Sequence, residues 1–151
     1  ELLIEKGITI SSVESFTVGN FATMLGSIPG ISKVYKGSLI TYQSETKERL
    51  LSIDHALIEK YGVVSKEIAT LMCVNGKSIL DTDLCVSFTG NAGPDAMEGK
   101  PVGEVYIGIA YQDVVVYKLN LTGSRQEIAS KAVEFAEKKI IEKINENLKK
   151  N

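Results

Sequence analysis

A serine, Ser15, stands where an apolar run ends and a helical pattern begins, within Val13-Glu14-Ser15-Phe16-Thr17-Val18-Gly19. A serine at a strand-to-helix junction projects its hydroxyl beyond the carboxyl end of a sheet. The first free N–H groups of the helix, near Thr17 to Gly19, would face whatever that hydroxyl attacks. This position suits a nucleophile in acyl transfer. The competing interpretation is a helix N-cap, the commonest role of a serine in front of a helix.

The base that would activate Ser15 is restricted by composition, because the chain has a single histidine, His55. His55 follows Asp54 at the start of a predicted helix, which is typical of a solvated group, so a Ser-His-Asp triad is not expected. Lys47 is the alternative base. It lies one helical turn after the end of a predicted strand, and its side chain can reach back to the serine of a neighbouring strand.

Lys47 can accept a proton only if its pKa, ordinarily near ~10.4, falls towards neutrality through burial or a neighbouring positive field. A solvated helix lysine is the competing interpretation. Glu14 and Tyr42 accompany the pair at the strand ends, where a surface carboxylate and a half-buried aromatic are the ordinary alternatives.

A glycine-rich turn, Gly90-Asn91-Ala92-Gly93, follows another apolar strand and could present N–H groups to a phosphate. A plain tight turn explains it equally well. It is not a Walker A loop, because five residues separate Gly93 from Gly99 and Pro101 stands where that motif has a hydroxyl.

The apolar patterns predict an α/β fold, specifically a three-layer α/β/α sandwich with a mixed, mostly parallel sheet. One strand is expected to be reversed by a hairpin around Gln112-Asp113. Ligands collect beyond the carboxyl ends of parallel strands, so one cleft lined by Glu14-Ser15, Thr41 to Ser44 and Thr89 to Asp95 is expected. The predicted strands are Ile8 to Val13, Val34 to Tyr42, Leu84 to Thr89, Gly103 to Tyr111 and Val114 to Leu121, and the predicted helices are Thr17 to Gly26, Ser44 to Leu51, Asp54 to Tyr61, Ser65 to Leu80 and Ser124 to about Leu148.

The composition, with 151 residues of which 44% are hydrophobic and 24% charged, predicts a single domain over residues 1–151. The net charge of −2 gives no basic footprint, so direct nucleic-acid binding is not expected. No apolar run approaches the ~20 residues of a membrane span, and no leader pattern precedes the first strand. A cytoplasmic location is therefore predicted.

Cys73 and Cys85 share neither a disulfide framework nor ligand spacing and are predicted to be buried small hydrophobes. No metal or cofactor is expected. Glu1 to Gly7 has the pattern of a helix end closed by glycine, and an upstream helical piece is expected to precede it.

Taken together, these segments resemble the CinA carboxy-terminal domain, the family of nicotinamide mononucleotide amidohydrolases also called PncC. The resemblance spans nearly the whole chain. It is carried by Glu14-Ser15-x-Thr17-x-Gly19, Pro29-Gly30-x-Ser32, Thr41-Tyr42 to Glu45-x-Lys47, Gly62-Val63-Val64-Ser65, Thr89-Gly90-x-Ala92-Gly93-Pro94-Asp95, Lys100-Pro101-Val102-Gly103-x-Val105-Tyr106 and Gly123-x-Arg125.

The resemblance implies hydrolysis of the carboxamide of nicotinamide mononucleotide to nicotinate mononucleotide and ammonia, without a cofactor. By position, Ser15 resembles the nucleophile, Lys47 the base, Glu14 a supporting carboxylate and Tyr42 a residue that orients the site. It also implies a homodimer and a small-molecule nucleotide as substrate. Arg125 has the fork that suits phosphate. The implied substrate-binding positions are Thr17, Gly19, Ser32, Thr89, Gly90, Gly93 and Arg125.

The chain departs from the family pattern beside the nucleophile, where Phe16 replaces the usual cysteine and Val18 the first glycine, and Ala129 replaces a second arginine. A β-branched valine does not readily adopt the positive φ that glycine permits, so an altered oxyanion turn or a narrower pocket is expected. Three functions stay open: an amidase for nicotinamide mononucleotide, an amidase for a related phosphorylated amide, and a catalytically drifted nucleotide-binding or protein-interaction domain.

Overall fold

The computed structural model describes residues 1–150, and the helices in this range lie on both faces of a five-stranded sheet. The strands are β1 (Ile10–Glu14), β2 (Tyr35–Ile40), β3 (Leu84–Gly90), β4 (Glu104–Tyr111) and β5 (Asp113–Asn120). The helices are α1 (Leu2–Lys6), α2 (Asn20–Gly26), α3 (Ser44–Leu51), α4 (His55–Tyr61), α5 (Lys66–Leu80) and α6 (Arg125–Lys150), with a 3-10 turn at Ile31–Lys33.

The strand order is β2-β1-β3-β4-β5. β1 pairs in parallel with both β2 and β3, whereas β4 runs antiparallel to both of its neighbours. Among the described strands only β4 is reversed, which confirms the mixed, mostly parallel sheet. Because β1, β2 and β3 are parallel, their carboxyl ends meet at one edge of the sheet.

Strand alternation divides the core between two helical layers. Ile10 belongs to an apolar cluster that includes residues of α1, α2 and α6, while Val13 packs with residues of α3, α4 and α5. Gly76 lets α5 approach the sheet closely, since a Cβ there would collide with Val13. The predicted three-layer sandwich is therefore correct.

The two cysteines are both fully buried. Burial raises the pKa of Cys73 to about 11 and that of Cys85 to about 12, so both thiols stay protonated at neutral pH. Within residues 1–150, no group of three or more His, Cys, Asp or Glu residues is arranged to hold a metal ion. The helices of this range also include none with the length and apolar character to cross a membrane.

The helix predicted from Thr17 begins instead at Asn20. Residues 16 to 19 form tight turns, in which the Val18 N–H donates to the Ser15 carbonyl (3.1 Å) and the Asn20 N–H to the Thr17 carbonyl (3.0 Å). Val18 adopts a φ of 44°, which a β-branched residue does not readily take. Its side chain is 58% exposed, but the local clash between its Cβ and the backbone carbonyl remains as a cost of that conformation.

Candidate active site

Ser15 is fixed at the carboxyl end of β1, and its N–H donates to the Phe88 carbonyl of β3 at 3.0 Å. Because successive strand residues face opposite sides of a sheet, Glu14 faces the α2 layer and Ser15 faces the α3 layer. α3 follows β2, the parallel neighbour of β1, and carries Lys47 towards this edge. The Lys47 Nζ lies 3.0 Å from the Ser15 Oγ.

Lys47 is fully buried, and its Nζ has three oxygen partners. Besides the Ser15 hydroxyl, Nζ donates to the carbonyls of Thr41 (2.6 Å) and Tyr42 (3.2 Å). A neutral amine has two N–H groups and one lone pair. The two carbonyls can only accept, so in the neutral form they take the two N–H groups and the lone pair is left for the Ser15 hydroxyl, which in this structure donates to the Tyr42 carbonyl at 3.4 Å. The same three oxygens can accept the three N–H groups of the ammonium form, so the site accommodates both protonation states of a general base.

Burial lowers the pKa of Lys47 from its ordinary 10.5 to about 8, while the field of the Glu98 carboxylate opposes this effect. The expected approach of this pKa towards neutrality therefore comes from desolvation. Of the two interpretations of Lys47, the structure contradicts the solvated helix lysine.

The side chain of Glu14 makes no hydrogen bond or ion pair with Ser15 or Lys47. Its buried carboxylate accepts hydrogen bonds from the Thr17 hydroxyl (2.7 Å) and from the N–H groups of Phe21 (3.1 Å) and Ala22 (3.0 Å). It therefore caps α2 and anchors the turn that follows Ser15.

This cap limits which N–H groups are available to the expected oxyanion site near Thr17 to Gly19. The N–H groups of Phe21 and Ala22 are bound to Glu14, and that of Val18 is bound to the Ser15 carbonyl. In the turn after Ser15, the N–H groups of Phe16, Thr17 and Gly19 make no hydrogen bond to another group of residues 1–150. An oxyanion would thus be held by free N–H groups of this turn, and not by those of Phe21 and Ala22.

A cavity of about 330 Å³ opens above the Ser15 hydroxyl. Predicted site residues that line it are Ser15, Tyr42, Thr89, Gly90 and Arg125. The three predicted turns thus contribute to one cleft. The predicted turns also supply Gln43, Ser44, Asn91 and Ala92, and Phe16 lines the cavity beside the nucleophile. Val63 and Met97, which were not predicted to line the cleft, complete the lining.

Arg125, the first residue of α6, spans the mouth of this cavity. Its Nη2 donates to the Tyr42 hydroxyl at 3.1 Å, and its Nη1 donates to the Gly93 carbonyl. Tyr42 is half-exposed there, and its carbonyl also accepts from Lys47. Arg125 thus places a positive charge beside the opening of the cavity. Gly93 does not line the cavity, but its carbonyl accepts a hydrogen bond from Arg125 and helps to hold the guanidinium in place.

The other predicted binding positions lie elsewhere. Thr17 is bound to Glu14, Gly19 precedes α2, and neither lines the cavity. Thr89 does line it, but its hydroxyl is engaged by the Val63 carbonyl at 2.6 Å. Ser32 precedes β2, at the opposite end of the sheet from Ser15. The length of β2 separates them by about 20 Å, so this cavity gives no support to Ser32 as a binding residue.

His55 is on the surface, where its ring lies between Glu48 (2.7 Å) and Glu59 (3.0 Å). These two carboxylates raise its pKa. It does not line the cavity, as expected for a solvated group.

The fold and the Ser15–Lys47 site define an α/β domain with a buried serine–lysine pair. The model of the CinA C-terminal domain matches residues 1–144. A putative competence-damage inducible protein of Bacillus thuringiensis is 40% identical over 148 residues, which is 97% of this chain and 36% of the relative. One of Levilactobacillus brevis is 43% identical over 135 residues, covering 88% of this chain and 32% of the relative. The chain spans about a third of the length of these relatives.

The comparison with solved structures points to the same family. A competence/damage inducible protein of Agrobacterium tumefaciens has a TM-score of 0.88 at 27% identity, over 92% of this chain and 87% of its own. A CinA superfamily protein of Klebsiella pneumoniae has a TM-score of 0.93 at 25% identity, over 95% and 91%. The chain belongs to the CinA C-terminal domain family, and the resemblance stated above is confirmed.

Proposed function

We propose that this domain hydrolyses the carboxamide of nicotinamide mononucleotide to nicotinate mononucleotide and ammonia, with Ser15 as nucleophile and Lys47 as base. The observation that carries the proposal is the 3.0 Å contact between the Ser15 hydroxyl and a buried amine whose other two partners are carbonyls. A non-catalytic domain would not require a lysine with a lowered pKa at this hydroxyl.

In the first half-reaction, Lys47 takes the Ser15 proton while the serine oxygen adds to the amide carbon. The N–H group of Phe16, a residue that lines the cavity, stabilises the negative charge on the former carbonyl oxygen. Lys47 then returns the proton to the amide nitrogen, the C–N bond breaks, and ammonia leaves an acyl-Ser15 ester.

In the second half-reaction, Lys47 takes a proton from water, and the resulting hydroxide attacks the ester carbon. The tetrahedral intermediate collapses with loss of the Ser15 oxygen, which recovers the proton from Lys47. The acid is released and the enzyme returns to its starting state. Each proton that Lys47 removes is therefore returned within the same half-reaction.

The cavity supports a phosphorylated aromatic amide as substrate. Phe16, Val63 and Met97 supply apolar walls, and Arg125 supplies a fork for phosphate at the mouth. A cofactor-free reaction, a homodimer and a cytoplasmic location belong to the same proposal, since they come from the family resemblance and the composition.

The test is the formation of ammonia and nicotinate mononucleotide from nicotinamide mononucleotide, compared among the parent, Ser15→Ala and Lys47→Met. Both variants are expected to lose turnover, by roughly 10²-fold or more for the lysine, while binding measured by calorimetry changes only a few-fold. Lys60→Met is the matched control, because Lys60 lies on α4 and does not line the cavity.

Full activity in Ser15→Ala would refute the serine mechanism. Binding without turnover in the parent would favour the catalytically drifted domain. Turnover of another phosphorylated amide in its place would favour the altered-substrate amidase.

A further inference from the structure

Glu98 lies at the tip of a hairpin turn in the loop between β3 and β4. Met97 and Lys100 pair across this turn, through hydrogen bonds of 3.3 and 2.7 Å between their backbones. The central residues, Glu98 and Gly99, have φ of 55° and 71°. Asn, Asp and Gly favour the first of these two positions, whereas glutamate is disfavoured there. A glutamate at this strained position suggests a compensating interaction.

The Glu98 carboxylate supplies that interaction, because it binds a segment more than thirty residues earlier in the chain. Its Oε2 accepts from the Val63 N–H and its Oε1 from the Val64 N–H, each at 3.0 Å. Lys100, across the turn, donates its Nζ to the Val64 carbonyl. The turn therefore holds this segment through groups of opposite charge.

The segment held in this way forms part of the cavity wall. Val63 lines the cavity, and its carbonyl accepts from the Thr89 hydroxyl at 2.6 Å. Met97, next to Glu98, lines the same cavity. The Val63 backbone is thus held at its N–H by Glu98 and at its carbonyl by Thr89. The turn that carries Glu98 also holds Met97 at the wall of the same cavity.

We propose that Glu98 is a positioning residue that fastens the loop between β3 and β4 onto Val63 and Val64, and thereby fixes the wall against which the ligand binds. Glu98 does not touch the reacting atoms. The identity of the ligand, nicotinamide mononucleotide, rests on the function proposed above, whereas the fastening does not.

The experiment compares Glu98→Ala and Glu98→Gln with the parent. Amide hydrogen exchange at Val63 and Val64 reports the fastening, and calorimetry with KM and kcat for nicotinamide mononucleotide reports its consequence. Glu67→Gln is the matched control, because Glu67 is an exposed acid three residues after Val64 whose carboxylate makes no hydrogen bond within residues 1–150 and which does not line the cavity.

In Glu98→Ala, both amides should exchange roughly tenfold faster or more, since each loses a hydrogen bond to a charged acceptor. KM and Kd should rise together by roughly three- to tenfold, with kcat changed less when it is compared at pH 10, where loss of the Glu98 field on the pKa of Lys47 no longer alters the neutral fraction of that base. Glutamine keeps one acceptor oxygen, so Glu98→Gln should leave one amide protected. Its exchange rates and its Kd should lie between those of the parent and those of Glu98→Ala.

Unchanged exchange at both amides in Glu98→Ala would overturn the fastening. Faster exchange with unchanged Kd would overturn its role in the cavity. If Glu98→Ala fails to fold, Glu98→Gln decides by the same measurements. Should the parent bind the nucleotide without turnover, the amidase proposal fails, while exchange and Kd still decide the role of Glu98.

Discussion

The pKa of Lys47 sets a quantitative expectation for the pH dependence of the proposed amidase. Burial lowers this pKa to about 8. At pH 7, about a tenth of the Lys47 side chains are then neutral, against about 0.03% at the ordinary value, so burial raises the base population roughly 300-fold. Since only the neutral amine can accept the Ser15 proton, kcat/KM should follow that population.

From pH 6 to pH 9 the neutral fraction rises about 90-fold, and from pH 9 to pH 10 it rises by only about a tenth. The measurement is ammonia release from nicotinamide mononucleotide at substrate concentrations well below KM, in buffers from pH 6 to pH 10, with Ser15→Ala as the blank. Lys47→Arg should be inactive throughout, because a guanidinium does not deprotonate in this range.

A profile that still rises about eightfold between pH 9 and pH 10 would show an unperturbed lysine and refute the reasoning from burial. A profile that is flat from pH 6 upwards would exclude Lys47 as the titrating base.

Three further predictions concern stability, and one concerns binding. The pKa of Lys47 is lower in the folded than in the unfolded chain, so the unfolded chain binds more protons between about pH 8 and pH 10.5. Stability therefore rises with pH across that window, and urea titrations should show the free energy of unfolding of the parent increasing by up to ~3 kcal/mol relative to that of Lys47→Met. Glu14→Gln should lower the free energy of unfolding by about 2 kcal/mol, because it disrupts charged hydrogen bonds to the first turn of α2; an unchanged urea midpoint would contradict this. Val18→Gly should raise it by about 0.5–1 kcal/mol, since glycine tolerates the positive φ; a lower melting temperature would contradict this. Arg125→Ala should raise KM roughly 10- to 100-fold with less effect on kcat, and an unchanged KM would remove Arg125 from the phosphate site.

The layers and the reversed strand could be predicted because both depend on local patterns. Apolar runs alternated with helical periodicity as far as β3, and a short turn at Gln112-Asp113 then reversed the chain. The convergence of Ser15 and Lys47 followed from the same topology, since the strands preceding them are parallel neighbours.

The side of the sheet that Glu14 faces was also encoded in the sequence. Adjacent strand residues face opposite sides, so Glu14 could not share a face with Ser15. The role of Glu98 had no comparable signal. Its hydrogen bonds join residues 34 and 35 positions apart in the chain, and its φ of 55° is one that glutamate rarely adopts. Such long-range contacts leave no periodic pattern.

Because Glu14 and Ser15 face opposite sides of the sheet, the chain can tolerate insertions and deletions at some places but not at others. Insertion of one residue inside β1 would turn every later residue of the strand to the opposite face of the sheet. The Ser15 side chain would then face the α2 layer, and the Glu14 carboxylate would face Lys47. Surface loops can grow or shrink without that penalty. We therefore expect the five residues of β1 to form a segment intolerant of insertions and deletions, in which even an alanine insertion eliminates both the cap of α2 and the nucleophile.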